Sequence, residues 1–101
     1  MANTPTKNDI DHEAELEYWR EQYSREPYYQ AGHTFEYYEV AYRVGWQGRA
    51  RHRGRSFDEA EPELRAEYER NRGTSPLTWE QSRDAVRAAW HRLDRIFPDS
   101  D

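Results

Sequence analysis

Four histidines, at positions 12, 33, 52 and 91, and twenty aspartates and glutamates are the side chains of this 101-residue chain that could hold a metal ion or move a proton. A metal site needs about three such groups converging on one point, and on a helix two histidine ligands stand at i and i+4. No two of these histidines have that spacing. His12 has Glu13 and Glu15 beside it, and His91 has Asp94 one helical turn on, which gives pairs and no triad. Carboxylates dense along helical segments are the usual mark of a solvated face. The chain has no cysteine, which removes disulfides, thiolate metal sites and cysteine nucleophiles together. It also lacks a glycine-rich phosphate loop, an H-E-x-x-H helix and a G-x-S-x-G elbow. The expectation is a protein that is not an enzyme, with no cofactor and no catalytic or metal-binding residue to assign.

The other chemistry-bearing stretch is RVGWQGRARHRGR, residues 43–55, with five arginines, one tryptophan and no acid. Arginines pair with phosphates and a tryptophan stacks on bases, so the segment could serve as a nucleic-acid arm. It also suits the C-terminal end of a helix, where the dipole favours cations. Partners follow at once in Asp58, Glu59, Glu61 and Glu63, and the net charge of the chain is −5, which weakens affinity for a polyanion. The structural alternative predicts that Arg55, in a turn next to Gly54 and Phe57, bridges internally to a carboxylate such as Asp58 or Glu61. Arg49, Arg51 and Arg53 are expected to point outward. Together with Tyr18 and Tyr37, which lie off the apolar stripes, they form the candidate interaction surface, since Tyr and Arg are enriched where proteins meet. The partner expected is another protein or a second copy of the chain, with nucleic acid as the alternative. A more remote reading is a small-ligand pocket formed by the tyrosines near Pro27.

Positioning these groups falls to a chain poor in aliphatic residues. Leu, Ile and Val number nine, against fifteen aromatic residues, four of them Trp and eight Tyr. Each large ring buries roughly 150–250 Å², so a core made mainly of rings is feasible. Arginine outnumbers lysine fourteen to one, which suits bidentate ion pairs and stacking on those rings. No apolar run approaches the ~18 residues of a membrane span, and the first residues lack the apolar core of a signal peptide. A cytoplasmic location and no membrane partner are expected.

Helical spacing recurs four times. Asp11 is placed to cap a helix carrying Leu16, Trp19 and Tyr23 on one face, which Pro27 stops. Thr34 precedes a second, with Phe35, Tyr38, Ala41 or Tyr42, Gly45 and Trp46 in a stripe and Gly54 as the residue after its end. Gly45 and Gly48 either permit a close helix crossing or mark fraying. Ser56 and Glu59 form a capping-box pattern, but Pro62 lies deep for a helix starting there. A turn over 57–60 followed by a helix with Pro62 in its first position is predicted, with Leu64 and Tyr68 buried and Gly73 at the end. The last helix, 78–97, carries Trp79, Val86, Ala89, Trp90, Leu93 and Phe97, and Pro98 closes it. Strand signals are weak. The reading is all-α: a small bundle of about four helices with short loops and an aromatic-rich core, spanning 10–97, between a disordered tail at 1–9 and a short tail at 98–101. Trp19, Tyr42, Gly54, Arg55, Phe57, Trp79 and Trp90 are the expected structural residues.

Four blocks of this sequence, PYYQAG, YEVAYRVG, GRSFDEAEP and LTWEQSRDAVRAAWHR, resemble in combination a family of small uncharacterised bacterial proteins, over about residues 16–93. The matching positions include Tyr28, Gly32, Tyr38, Tyr42, Arg43, Gly45, Gly54, Arg55, Phe57, Asp58, Glu61, Pro62, Trp79 and Trp90. The resemblance implies a soluble protein that can accompany general-stress functions, with no established activity, cofactor or catalytic residue to carry over. It also implies that Gly54-Arg55-x-Phe57-Asp58 is a structural corner.

Overall fold

The computed structural model describes residues 11–96. The two expected tails, Phe97 and the stop at Pro98 lie outside the described residues. Within them the chain is all-α, as its spacing predicts: α1 (His12–Gln22), a short 3-10 turn (Tyr23–Arg25), α2 (Phe35–Arg51), α3 (Phe57–Asn71) and α4 (Trp79–Ile96).

Each start has a local cause. The Asp11 carboxylate accepts from the Ala14 amide at 3.1 Å, satisfying one of the free donors at the beginning of α1. Thr34 holds the cap position of α2 without a side-chain bond. Ser56 and Glu59 exchange both bonds of a capping box at 3.1 and 2.9 Å. Thr78 and Gln81 repeat the device at α4, the Gln81 side chain accepting from the Thr78 amide at 2.9 Å.

Two boundaries differ from the sequence reading. α3 is one helix from Phe57, with Pro62 inside it, rather than a turn and a later start. The capping box fixes the first turn, and Phe57, Ala60 and Leu64, all buried, draw that turn into the core. Pro62 removes only the bond its own amide would give to the Asp58 carbonyl, near the solvent-exposed end of the helix. α2 ends at Arg51, earlier than a stop at Gly54 implies, with the His52 amide donating to the Gly48 carbonyl at 2.8 Å. Gly54 instead takes φ +82° in the turn that the Arg55 amide closes on the His52 carbonyl. The corner exists, one turn beyond the helix.

α2 is the central element, and it packs against both α3 and α4. The close approach comes from two glycines. A Cβ on Gly45 would press into the Val86 backbone carbonyl and lie 2.7 Å from the Ala89 Cβ, so the α2–α4 crossing requires glycine there. A Cβ on Gly48 would meet the end of the Leu64 side chain from α3. Around this crossing Trp46, Trp90, Tyr38, Tyr42, Tyr68 and Leu64 are fully buried. Trp19, Phe57 and Trp79 are buried as well, so the expected structural rings all face the core. The loop before α4 is tied down by hydroxyls: Tyr68 donates to the Leu77 carbonyl at 2.7 Å, Ser82 to Tyr68 at 2.8 Å, and Ser75 to the Tyr37 carbonyl at 3.0 Å. Those bonds let three polar side chains sit inside without an unpaired group.

Candidate functional site

Four of the five arginines of residues 43–55, Arg43, Arg49, Arg51 and Arg55, face carboxylates of the fold. Arg43 binds Glu39 one turn earlier at 2.7 Å. Arg49 is only 4% exposed and its Nε donates to Asp94 of α4. The expectation that Arg49 points outward is therefore wrong: on α2 it lies one turn after Gly45, on the face that meets α4. Arg51 is 51% exposed and pairs with Glu67 of α3, and Arg53 is exposed. Arg55 makes the expected internal bridge to a carboxylate, which is Glu63 rather than Asp58 or Glu61. Its guanidinium donates to Glu63 at 2.7 Å, to the Glu59 carbonyl at 2.8 Å and to His52 Nδ1 at 3.2 Å. Asp58 sits in the first turn of α3, whereas Glu59 and Glu63, one turn apart, present a carbonyl and a carboxylate to the Gly54 turn. Arg55 is also exposed, so this is a surface pairing. Glu61 belongs to Arg83 of α4 through two bonds of 2.5 and 3.0 Å, which hold its carboxyl below the usual range. Beside this cluster His52 is partly buried; burial first, then the charges of Arg55 and Arg51, lower its proton affinity against the pull of Glu63.

Tyr18 and Tyr37 are half-buried rather than exposed. The Arg92 guanidinium lies 3.7 Å from the Tyr18 ring centre, and Tyr37 packs on His33 with centroids 5.0 Å apart. Of the other tyrosines, Tyr38, Tyr42 and Tyr68 are buried and Tyr23, Tyr28 and Tyr29 are partly so. The rings therefore cover the core of a chain short of leucine.

Around Pro27 the tyrosines form a hydrogen-bonded cluster. The hydroxyls of Tyr28 and Tyr42 approach to 2.6 Å, and Tyr38 OH meets His33 Nδ1 at 2.7 Å. Burial raises the proton affinity of all three phenols, which stay neutral. The adjoining cleft, about 360 Å³, is lined by Glu26, Pro27, Tyr28, Asp84, Arg87, Ala88 and His91. Tyr28 is the one tyrosine in its lining, and its walls carry charge of both signs. The aromatic pocket imagined from the sequence has its rings turned inward on one another.

Two links between distant elements have no signal in the local pattern. Glu15 of α1, 4% exposed, accepts from Arg92 Nε of α4 at 3.0 Å, and Trp46 Nε1 donates to His12 Nδ1 at 2.8 Å. Glu15 looks like one more acid of a solvated helix face, and only the tertiary packing singles it out. Among the described residues no group of three or more His, Asp or Glu is placed to hold a metal ion, and no helix is long and apolar enough to cross a membrane. No family model, curated protein or solved structure matches the chain.

Proposed function

We propose that the chain is a non-enzymatic helical module that works through protein contacts, offering the outer face of α1 to a basic partner. One observation carries this reading. Glu13, Glu17 and Glu21 stand at i, i+4 and i+8 and are all exposed. Like charges at that spacing oppose one another by about 0.2–0.5 kcal/mol per pair, so the stripe works against the helix that bears it. Among the described residues none of the three is paired with a cation. A basic complement would relieve that repulsion. The pairing of Arg49, Arg51 and Arg55 with Asp94, Glu67 and Glu63 supports a protein partner over nucleic acid, because phosphates would compete with carboxylates already in place. The family likeness supports a small bacterial protein with a stress association, and the lack of cysteine agrees with the cytoplasm.

Capture from native lysate, read by mass spectrometry, tests the proposal. A basic protein should be retained by the wild type, released by salt, and lost with the triple variant Glu13→Gln, Glu17→Gln, Glu21→Gln. Binding of duplex or single-stranded DNA below ~1 μM at ~150 mM salt, abolished by Arg51→Ala with Arg53→Ala, would replace the protein reading with the nucleic-acid one.

A further inference from the structure

Tyr38 is the hub of the ring cluster. It is buried in the first turns of α2, and its ring centre lies 5.8 Å from Tyr28, 6.0 Å from Tyr23 and 6.3 Å from Tyr42. Tyr42 stacks on Trp19 at 4.4 Å, and Trp19 meets Tyr18 edge-on at 4.8 Å. Oxidisable rings thus run in contact to buried Tyr38, with half-buried Tyr23 and Tyr28 as its direct outer neighbours, whereas the Arg92 guanidinium over Tyr18 opposes positive charge at that end. An electron hole can move along such a chain, and it settles where the oxidised ring can shed its proton to a base.

The rings differ sharply in that respect. The Trp19 indole N–H is buried with no hydrogen-bond partner among the described residues. Tyr42 and Tyr28 have each other, and a neutral phenol is a poor base. Tyr38 has an imidazole. The Gln30 amide donates to the Tyr38 oxygen at 3.4 Å, and in the neutral imidazole tautomer protonated on Nε2 the hydroxyl donates to His33 Nδ1, 2.7 Å away. That tautomer leaves Nδ1 free to take the phenol proton. The indole of Trp46 also donates to an imidazole, that of His12, but the Arg43 guanidinium lies 5.9 Å from the Trp46 ring and opposes positive charge there.

We propose that Tyr38 and His33 form a proton-coupled redox site that accepts a hole from a one-electron oxidant, a high-valent metal complex or an oxygen- or nitrogen-centred radical. The oxidant gains one electron. Tyr38 loses that electron, its O–H bond breaks and an N–H bond forms at His33 Nδ1, giving a neutral phenoxyl radical beside an imidazolium. Return of one electron and of the proton restores the pair. This role goes beyond the docking reading and is independent of it.

Photogenerated tris(bipyridine)ruthenium(III), added to the full chain, tests the site by transient absorption and electron paramagnetic resonance. A neutral phenoxyl signal should appear in the wild type, slower in deuterium oxide, and be lost in Tyr38→Phe. His33→Ala should slow its formation by about 10²-fold or more, the size usual for loss of a positioned general base, and added imidazole should restore it. His12→Ala should leave the rate unchanged. The proposal is overturned if Tyr38→Phe, folded by circular dichroism, gives the same phenoxyl yield, or if His33→Ala reacts at the wild-type rate. Should Tyr38→Phe not fold, a wild-type rate insensitive to deuterium oxide, or a His33→Ala rate that imidazole does not restore, overturns it as well.

Discussion

At the scale of single residues, burial decides what each arginine does. Arg49 and Arg55 are both bonded to carboxylates, yet Arg49 is almost fully enclosed between α2 and α4 while Arg55 is 39% exposed. Removing a buried guanidinium takes away packing along its stem as well as its bonds, so Arg49→Ala should lower stability by roughly 1–3 kcal/mol. Arg49→Met keeps the stem and should recover much of that, because half-exposed Asp94 can be solvated when its partner goes. Arg55→Ala should cost about 0–1 kcal/mol, the range of exposed pairs. Urea titration of the three variants measures all of this. A loss for Arg55→Ala equal to that for Arg49→Ala would show that the turn at Gly54 depends on the Arg55 bonds. The spacing of residues 43–55 made the basic stretch legible but gave no sign of which arginine lay inside. That depends on the crossing angle of α2 and α4, which the sequence of α2 alone does not contain.

Elements were more legible than the contacts between them. Stripes of rings at helical spacing located all four helices, because a ring that must be buried is a strong signal and the caps at Asp11 and Ser56 agree with it. Pro62 lies inside α3 although proline opposes a helix interior on propensity alone, because the capping box and the burial of Phe57 and Ala60 hold the turn before it. Pro62→Ala should therefore stabilise the protein, by about 1 kcal/mol or more, since it restores an amide donor for the Asp58 carbonyl and removes a ring that crowds it. Thermal denaturation should show a higher midpoint, and a lower one would mean that Pro62 is needed against Trp79 in the depression they share. The crossing of helices makes a second test. Alanine gains roughly 1 kcal/mol over glycine in a helix, so both Gly45→Ala and Gly48→Ala start with that advantage. At Gly45 the new methyl would strike a backbone carbonyl and the Ala89 Cβ, which cannot swing aside, and α2 would have to leave α4. At Gly48 it meets the far end of Leu64, which can change rotamer. Gly45→Ala should destabilise by about 1–3 kcal/mol, the range of overpacked cores, and Gly48→Ala should stay within about 1 kcal/mol of wild type.

For the whole molecule, the titrating groups set a pH window, and each limb has a definite sign. The folded state lowers the proton affinity of His52, mainly by burial, and of Glu61, mainly through its bonds to Arg83. A group depressed in this way contributes stability above its unfolded value, which is lost as pH falls and the unfolded chain binds more protons. Stability should begin to fall below about pH 6.5, where an ordinary histidine titrates, and fall again below about pH 4.5 for the carboxylate. His52→Asn should flatten the first of these steps. The alkaline limb has the opposite origin. Burial raises the proton affinity of Tyr28, Tyr38 and Tyr42, so above pH 10.0 the unfolded chain releases protons that the folded one keeps. Each such phenol removes about 1.4 kcal/mol of stability per pH unit. Tyr28 and Tyr42, with large shifts, together remove about 3 kcal/mol per unit and Tyr38 adds in the same direction, against a total of about 5–15 kcal/mol for a domain. The protein should therefore unfold cooperatively within a few units above pH 10.0, with the three phenols ionising together as helical ellipticity is lost. Tyr28→Phe should shallow this limb by up to about half. Phenolate absorbance from the cluster rising near pH 10 while ellipticity stays intact would mean that Tyr28, Tyr38 and Tyr42 are open to water, and the ring-built core around α2 would have to be redrawn.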